Sequence, residues 1–104
     1  MSTENLIPAE QLPRAGSTRR FDIHGQRILI ANIDGGYHAV ADTCSHEDAS
    51  LSLGALKGET ISCPLHGSRF CLRTGQALDE PAEEAIAVYA TRLDGSGNLL
   101  LALV

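Results

Sequence analysis

The sequence has little of what membrane proteins, nucleic-acid-binding proteins and aromatic-rich cores require. It contains no Trp, and aromatic residues make up only 4% of its 104 residues. Its longest apolar run, residues 99–104, is far too short for a transmembrane helix. Eight Lys and Arg stand against thirteen Asp and Glu, which gives a net charge of −5. This charge disfavours binding to nucleic acid or to an anionic membrane, since both reward cationic side chains, and favours a partner with a basic surface.

We expect neither an export leader nor a disulfide framework from this sequence. Residues 1–13 carry neither a basic start nor a long apolar stretch, and polar residues follow Arg19 and Arg20, unlike in a twin-arginine signal. Three cysteines, an odd number, are more consistent with metal binding than with disulfides. We therefore expect a cytoplasmic protein. The length leaves no room for a second domain, so we expect one domain spanning residues 1–104. We also expect the protein to be a monomer.

Short strands separated by turns dominate the pattern. Residues 27–33 and 37–41 are rich in β-branched and aliphatic side chains, and the Asp-Gly-Gly at 34–36 is typical of a hairpin turn between them. Helical turns are indicated only near residues 8–12 and 81–85. Further strands are predicted at residues 17–23, 59–63, 68–72, 87–93 and 99–104. The fold class is therefore all-β, in the form of a small sandwich or barrel.

Two stretches place a Cys shortly before a His: Cys44 and His46 in TCSHED, and Cys63 and His66 in SCPLHGS, with 16 residues between His46 and Cys63. A structural zinc site uses four such ligands but usually groups like ligands together, as in C-x2-C or H-x3-H. The mixed pairs better suit a binuclear cluster in which Cys44 and Cys63 bind one iron and His46 and His66 bind the other. The third cysteine, Cys71, lies on a predicted strand and is interpreted as a small buried apolar residue.

The spacing C-x-H-x16-C-x2-H, with CPLHGS at 63–68, resembles the signature of the Rieske [2Fe-2S] family. The resemblance covers nearly the whole chain and implies a small antiparallel β sandwich with two cluster-binding loops. These are the first cluster loop (about residues 43–54) and the second cluster loop (about residues 61–75). The resemblance also implies that His46 and His66 expose one ring edge at the tip of the protein, and that a proline loop around Pro81 shields the cluster.

The mixed ligands explain the redox properties of such a cluster. Replacing two thiolates by neutral imidazoles removes two negative charges, so an electron enters more easily, and Rieske potentials lie at about −150 to +300 mV. Respiratory Rieske proteins carry an additional disulfide at the positions of Ala49 and Leu65, and a hydrogen-bonding Tyr at the position of Phe70. Ser68 remains as a donor. Because fewer groups than in the respiratory proteins stabilise the added electron, we expect a potential near the low end of the range. The predicted tuning or shielding residues are Leu65, Ser68, Phe70 and Pro81.

The resemblance implies electron transfer rather than catalysis by this chain itself. A Rieske oxygenase needs a second iron site of two His and one carboxylate, and only His24 and His38 remain beside the predicted ligands. The chain resembles the ferredoxin component of bacterial aromatic-ring-hydroxylating dioxygenases, which passes single electrons from a flavoprotein reductase to a terminal oxygenase in aromatic hydrocarbon catabolism. One alternative is the small Rieske subunit of an assimilatory nitrite reductase. A weaker alternative is a zinc-binding module without redox activity.

Acidic residues surround the predicted ligands in the sequence. Glu47 and Asp48 directly follow His46. Four more flank Pro81, namely Asp79, Glu80, Glu83 and Glu84. Such residues form either a solvated face, the usual role of a charge run, or a docking surface for a basic patch. We predict a docking role for Glu47 and Asp48.

Overall fold

The computed structural model describes residues 3–43, 49–65, 67–79 and 84–103. These residues form antiparallel strands and two single-turn 3-10 helices, Ala9–Gln11 and Leu51–Leu53. The predicted all-β class is therefore confirmed. The strands are β1 (Thr3–Ile7), β2 (Ser17–Ile23), β3 (Gln26–Ile33), β4 (Gly36–Ala41), β5 (Leu56–Lys57), β6 (Thr60–Ser62), β7 (Arg69–Cys71), β8 (Val88–Tyr89), β9 (Thr91–Leu93) and β10 (Leu99–Leu103).

The strands form three sheets, and the middle sheet is covered on both faces. Its strand order is β2-β3-β4-β8, and the flanking sheets are β1-β10-β9 and β5-β6-β7. Successive side chains of a strand point to opposite faces. Leu29 of β3 accordingly belongs to one apolar core with Ile61 of β6, and its neighbour Ile30 belongs to a second core with Leu101 of β10. Burial on both faces explains why β3 is apolar nearly throughout instead of alternating.

Two tight turns connect β2, β3 and β4. His24 and Gly25 have φ values of 51° and 78°, and Asp34 and Gly35 have values of 51° and 88°. Two consecutive positive φ values are typical of the type I′ turn, whose twist matches that of a β-hairpin. The second turn confirms the predicted hairpin, and β4 then leads into the first cluster loop.

The structure differs from the sequence prediction at both ends of the chain. Residues 87–93, predicted as one strand, form β8 and β9, which pair with β4 and β10 in different sheets. Residues 3–7 carry too few apolar side chains to indicate a strand, yet they form β1 by pairing with β10. The helical turn predicted at 81–85 lies largely outside the described residues. Within the described ranges, no helix is long and apolar enough to cross a membrane.

Candidate functional site

Of the four predicted ligands, only Cys63 lies within the described residues. Cys44, His46 and His66 lie outside them. The predicted docking residues Glu47 and Asp48 and the predicted shielding residue Pro81 also lie outside the described ranges. In the part of the chain that is described, no group of three or more His, Cys, Asp and Glu side chains gathers around a common point. The site is therefore built from Cys63 and from the segments that lead into and out of the two cluster loops.

Cys63 lies directly after β6, at the start of a tight turn in the second cluster loop. Its thiol is free and only 2% of the residue is exposed. Its backbone N–H donates to the carbonyl of Ser68 at 2.7 Å, and its carbonyl accepts the N–H of Gly67 at 2.9 Å. Gly67 has a φ of +74°, a conformation that glycine adopts at little cost. These bonds close the turn and direct the Cys63 thiol inward, while Leu65 on the turn is 62% exposed.

The first cluster loop is closed at its base and packs against the same core. Thr43 and Ser50 pair across the loop in an isolated antiparallel bridge. Ala49 and Leu51, which follow the predicted ligands of this loop, are both buried. They belong to one apolar core with Cys63. The two cluster loops therefore pack on a shared apolar core.

Gly54 in the first cluster loop lies directly against Ser62, which precedes Cys63. A Cβ atom at Gly54 would lie 1.7 Å from the backbone oxygen of Ser62. Beside this contact, the Ser62 N–H donates to the carbonyl of Ala55 at 3.0 Å. Only glycine permits such a close approach of two backbones. The contact fixes the position of the first cluster loop relative to Cys63.

The two predicted tuning residues are both buried near Cys63. Ser68 is buried at the closing end of the Cys63 turn, and Phe70 of β7 is fully buried. Phe70 shares its apolar core with Cys63 and Leu51 and pairs in register with Ile61. These positions are compatible with the predicted effects on the cluster, which stay predictions.

The segments on either side of the proline loop are anchored to the second cluster loop. Before it, the Leu78 N–H donates to the carbonyl of Arg69 at 2.8 Å. After it, the Ile86 N–H donates to the carbonyl of Gly75 at 2.8 Å. Arg69 and Asp79 also form an ion pair with an N–O distance of 2.6 Å, and the Arg69 hydrogen bond lowers the pKa of the Asp79 carboxyl. The charge of the Asp79 carboxylate is thus compensated by Arg69, so Asp79 adds no unpaired charge to the acidic surface that the sequence suggested.

Cys71 is the second free cysteine among the described residues, and it is half-buried. Hydrogen bonds from the hydroxyl and the backbone N–H of Thr74, with a weaker one from the backbone of Arg73, lower the pKa of its thiol. Hydrogen bonds of this kind stabilise a thiolate. Cys71 is therefore a polar, partly accessible thiol rather than the buried apolar residue predicted.

Residues that support the site from outside the motif were missed by sequence reasoning. Gly54 acts through a backbone contact with Ser62, eight positions away, and no residue pattern signals such a contact. Arg69 and Asp79 are ten positions apart and meet only because the chain reverses after β7. Asp42, at the end of β4, is fully buried with Ser50 as a hydrogen-bond partner. The only sequence signal for Asp42 is its place two residues before Cys44.

The residues that are described fit a [2Fe-2S] cluster. Iron in such a cluster is bound by cysteine thiolates, and Cys63 offers a buried sulfur that forms no disulfide with the other described cysteine. The buried Ser68 carries a hydroxyl five residues after Cys63, and the closed turn and the Gly54 contact position the backbone around that cysteine. Fixed ligands and a polar surrounding shell are what tune a metal centre.

The chain is similar in sequence to known proteins over most of its length. The Rieske [2Fe-2S] domain family matches residues 3–90. The chain is 36% identical over 99 residues to the ferredoxin component of biphenyl 2,3-dioxygenase from Rhodococcus jostii (strain RHA1), covering 95% of this chain and 86% of that protein.

Two solved structures share the fold over most of their length. The first is a chain in the complex of reduced oxygenase and oxidized ferredoxin in carbazole 1,9a-dioxygenase, with a TM-score of 0.83 and 30% identity over 90% of this chain and 86% of that one. The second, from Mycobacterium tuberculosis, is assigned as an NADH-dependent nitrite reductase small subunit. Its TM-score is 0.86, but at 22% identity over 100% of this chain and 97% of that one it shows the fold alone. The family match and the dioxygenase ferredoxin together show that this chain belongs to the Rieske [2Fe-2S] family and that its cofactor is a Rieske-type [2Fe-2S] cluster.

Proposed function

We propose that this chain is the ferredoxin of a multicomponent aromatic-ring dioxygenase, and that it carries single electrons from a flavoprotein reductase to a terminal Rieske non-haem iron oxygenase. The observation that carries the proposal is the 36% identity to a dioxygenase ferredoxin component, over 99 residues that make up 95% of the chain. The resemblance to a chain of a solved oxygenase and ferredoxin complex supports the same partner. The bound cluster supplies a one-electron couple, and the chain acts as an electron-transfer component rather than as a catalyst by itself.

We propose Cys44, His46, Cys63 and His66 as the cluster ligands. The mixed Cys and His spacing and the buried free thiol of Cys63 support this set. Purified protein should contain two irons and two acid-labile sulfides per chain, and His66→Ala should remove the Rieske spectrum. Stoichiometric zinc after expression with abundant iron, or an unchanged spectrum in His66→Ala, would contradict the ligand set.

We propose that partners dock at the tip formed by the two cluster loops. Leu65 is largely exposed on the second cluster loop and offers an apolar contact next to a proposed ligand. Glu47 and Asp48 stand next to His46 in the sequence and would attract a basic patch. Arg69 cannot offset their charge fully, because Asp79 already binds its guanidinium.

We further propose that residues 1–104 form a single Rieske domain that is monomeric and cytoplasmic. Pairing of β1 with β10 joins the two ends of the chain in one sheet, which supports a single folding unit. Cys71, which is not a proposed ligand and forms no disulfide with Cys63, supports a reducing compartment.

Reconstituted electron flow tests the proposed function. A flavoprotein reductase and an oxygenase encoded near this chain would be purified, and reduction of this protein would be followed by stopped-flow absorbance of the oxidised cluster. Reduction by the reductase, followed by reoxidation on mixing with the oxygenase and its substrate, is expected. Cys63→Ser serves as the control, since without a cluster it should transfer no electrons.

The alternative function, as the small Rieske subunit of an assimilatory nitrite reductase, is supported by the shared fold alone, whereas the sequence similarity favours the dioxygenase proposal. The two functions differ in the assembly that the protein enters. A nitrite reductase small subunit should copurify with the other subunit of that enzyme and should not exchange electrons with an oxygenase. Stable binding to such a subunit, without turnover in the oxygenase assay, would replace the dioxygenase proposal.

A further inference from the structure

A buried carboxylate lies at the base of the first cluster loop and has no part in the function proposed above. Asp42 is 0% exposed and stands two residues before Cys44. Burial of an ionised carboxylate is unfavourable unless hydrogen bonds or opposite charges compensate for the lost water. The partners of Asp42 therefore indicate what it stabilises.

Asp42 binds the returning end of the first cluster loop through both carboxylate oxygens. Its Oδ1 accepts the backbone N–H of Ser52 at 2.8 Å. Its Oδ2 accepts the hydroxyl of Ser50 and, at 3.4 Å, that of Ser52. The Asp42 carbonyl also accepts the N–H of Leu51 at 2.6 Å. One residue thus joins the start of the loop to three successive residues at its end.

Within the described ranges, Asp42 has a long ion pair whose cation it shares with another carboxylate. That cation is Arg20 on β2, whose Nε lies 3.9 Å from Oδ2 of Asp42. The same guanidinium lies closer to Asp22, with an N–O distance of 3.1 Å, so two carboxylates share one positive charge. Water and salt screen a buried charge poorly. The negative charge of Asp42 therefore interacts more strongly with nearby charges than the charge of an exposed carboxylate does.

We propose that Asp42 is a positioning residue that closes the first cluster loop and that its charge lowers the reduction potential of the cluster. This inference rests on the proposed ligation by Cys44 and His46. A loop closed at its base loses less conformational entropy when its side chains bind a cluster. A nearby fixed negative charge disfavours the addition of an electron to the cluster.

Two substitutions separate the structural and electrostatic effects. Asp42→Asn removes the charge and keeps an oxygen acceptor for the Ser52 N–H, whereas Asp42→Ala removes both. Asp22→Asn is the matched control, because it removes an exposed carboxylate that contacts the same Arg20. Each holoprotein would be tested for the rate of bleaching by a ferrous chelator and for its midpoint potential by spectroelectrochemistry.

Asp42→Ala should bleach at least about tenfold faster than wild type, and Asp42→Asn should bleach more slowly than Asp42→Ala. Asp42→Asn should raise the equilibrium constant for reduction at least threefold, about 28 mV for a one-electron couple, whereas Asp22→Asn, which removes an exposed charge, should change it by less than Asp42→Asn. If Asp42→Asn has the potential and the bleaching rate of wild type, the proposal is overturned. This test applies even if Asp42→Ala fails to fold. Absence of a cluster from the wild-type protein would instead contradict the ligation on which the inference rests.

Discussion

Arg69 donates three hydrogen bonds to Asp79: two from its guanidinium at 2.6 and 3.1 Å, and one from its backbone N–H at 3.1 Å. Arg69 follows the turn that begins at Cys63, and Asp79 lies two residues before Pro81. This ion pair therefore ties the entrance of the proline loop to the second cluster loop.

Loss of this ion pair should expose the cluster. Arg69→Gln leaves the Asp79 carboxylate without its guanidinium partner, and we expect bleaching by a chelator to become about two- to fivefold faster, since exposed ion pairs contribute little free energy. Arg92→Gln is the matched control, because Arg92 makes a similar two-bond pair with Glu4 on another sheet, at 3.0 and 3.1 Å. Equal bleaching of both variants would show that the pair does not hold the proline loop.

The contribution of this pair should depend on pH. Arg69 lowers the pKa of the Asp79 carboxyl in the folded protein. A depressed pKa stabilises the fold above the unfolded pKa of Asp, about 3.9, and this stabilisation disappears as the pH falls through the folded pKa. The difference in unfolding midpoint between wild type and Asp79→Asn should therefore be constant from pH 7 to about pH 5 and should shrink below about pH 4. A difference that persists at pH 3 would assign the effect to contacts other than the ion pair.

The contact between Gly54 and Ser62 should not tolerate a side chain. Gly54→Ala places a Cβ atom 1.7 Å from a backbone oxygen, so the first cluster loop must shift, at a cost of about 1–3 kcal/mol or more. Gly95→Ala is the control, because no atom lies within 4 Å of its Cβ position. Thermal unfolding of the holoprotein should show a lower midpoint for Gly54→Ala alone, with reduced iron content. Similar midpoints for the two variants would show that the loops are not in tight contact.

Most local elements of this protein were predictable from its sequence, with β1 and the break between β8 and β9 as exceptions, whereas the contacts between elements were not. The hairpin at Asp34 and Gly35 follows from turn chemistry, and the proposed ligands follow from a spacing specific to one family. The Gly54 contact and the pair of Arg69 with Asp79 depend on how loops distant in sequence come together. The pattern of a single sequence indicates periodicity and local turns. It therefore does not show which distant loops come into contact.

Hydrogen bonds near Cys63 should set the potential. Ser68→Ala should lower the midpoint potential, and Phe70→Tyr should raise it, if each hydroxyl donates to a cluster sulfur. Each bond to a charged acceptor contributes at most about 1.5–3 kcal/mol, or roughly 60–130 mV for one electron. The measured shifts should be smaller, since both redox states accept the bond. Spectroelectrochemical titration tests this, and a wild-type potential near the top of the Rieske range would contradict the expected low value.

The polar environment of Cys71 should make it the reactive thiol of the holoprotein. Iodoacetamide should label Cys71 and spare Cys63, which is buried and is a proposed ligand. Thr74 lowers the Cys71 pKa, so Thr74→Val should raise that pKa and slow labelling at pH 7, because the thiolate is the nucleophile. Peptide mass spectrometry would locate the label, and Cys71→Ser should keep the cluster and lose the label. Labelling of Cys63 in intact holoprotein would contradict its role as a ligand.

Docking through an acidic tip should make electron transfer depend on salt. Charges at the rim of an interface mainly change the rate of encounter, and salt screens them over about 10 Å at 0.1 M. Reduction by the cognate reductase should therefore slow as salt is raised. Glu47→Lys with Asp48→Lys should slow it more at low salt than at high salt, without changing the cluster spectrum. Glu4→Lys with Glu10→Lys, which changes the net charge by the same amount at exposed positions on and next to β1, in another sheet, should have a smaller effect. A stopped-flow rate that is independent of salt, or equal in the two double variants, would mean that Glu47 and Asp48 form only a solvated face, and that docking depends on apolar contacts such as Leu65.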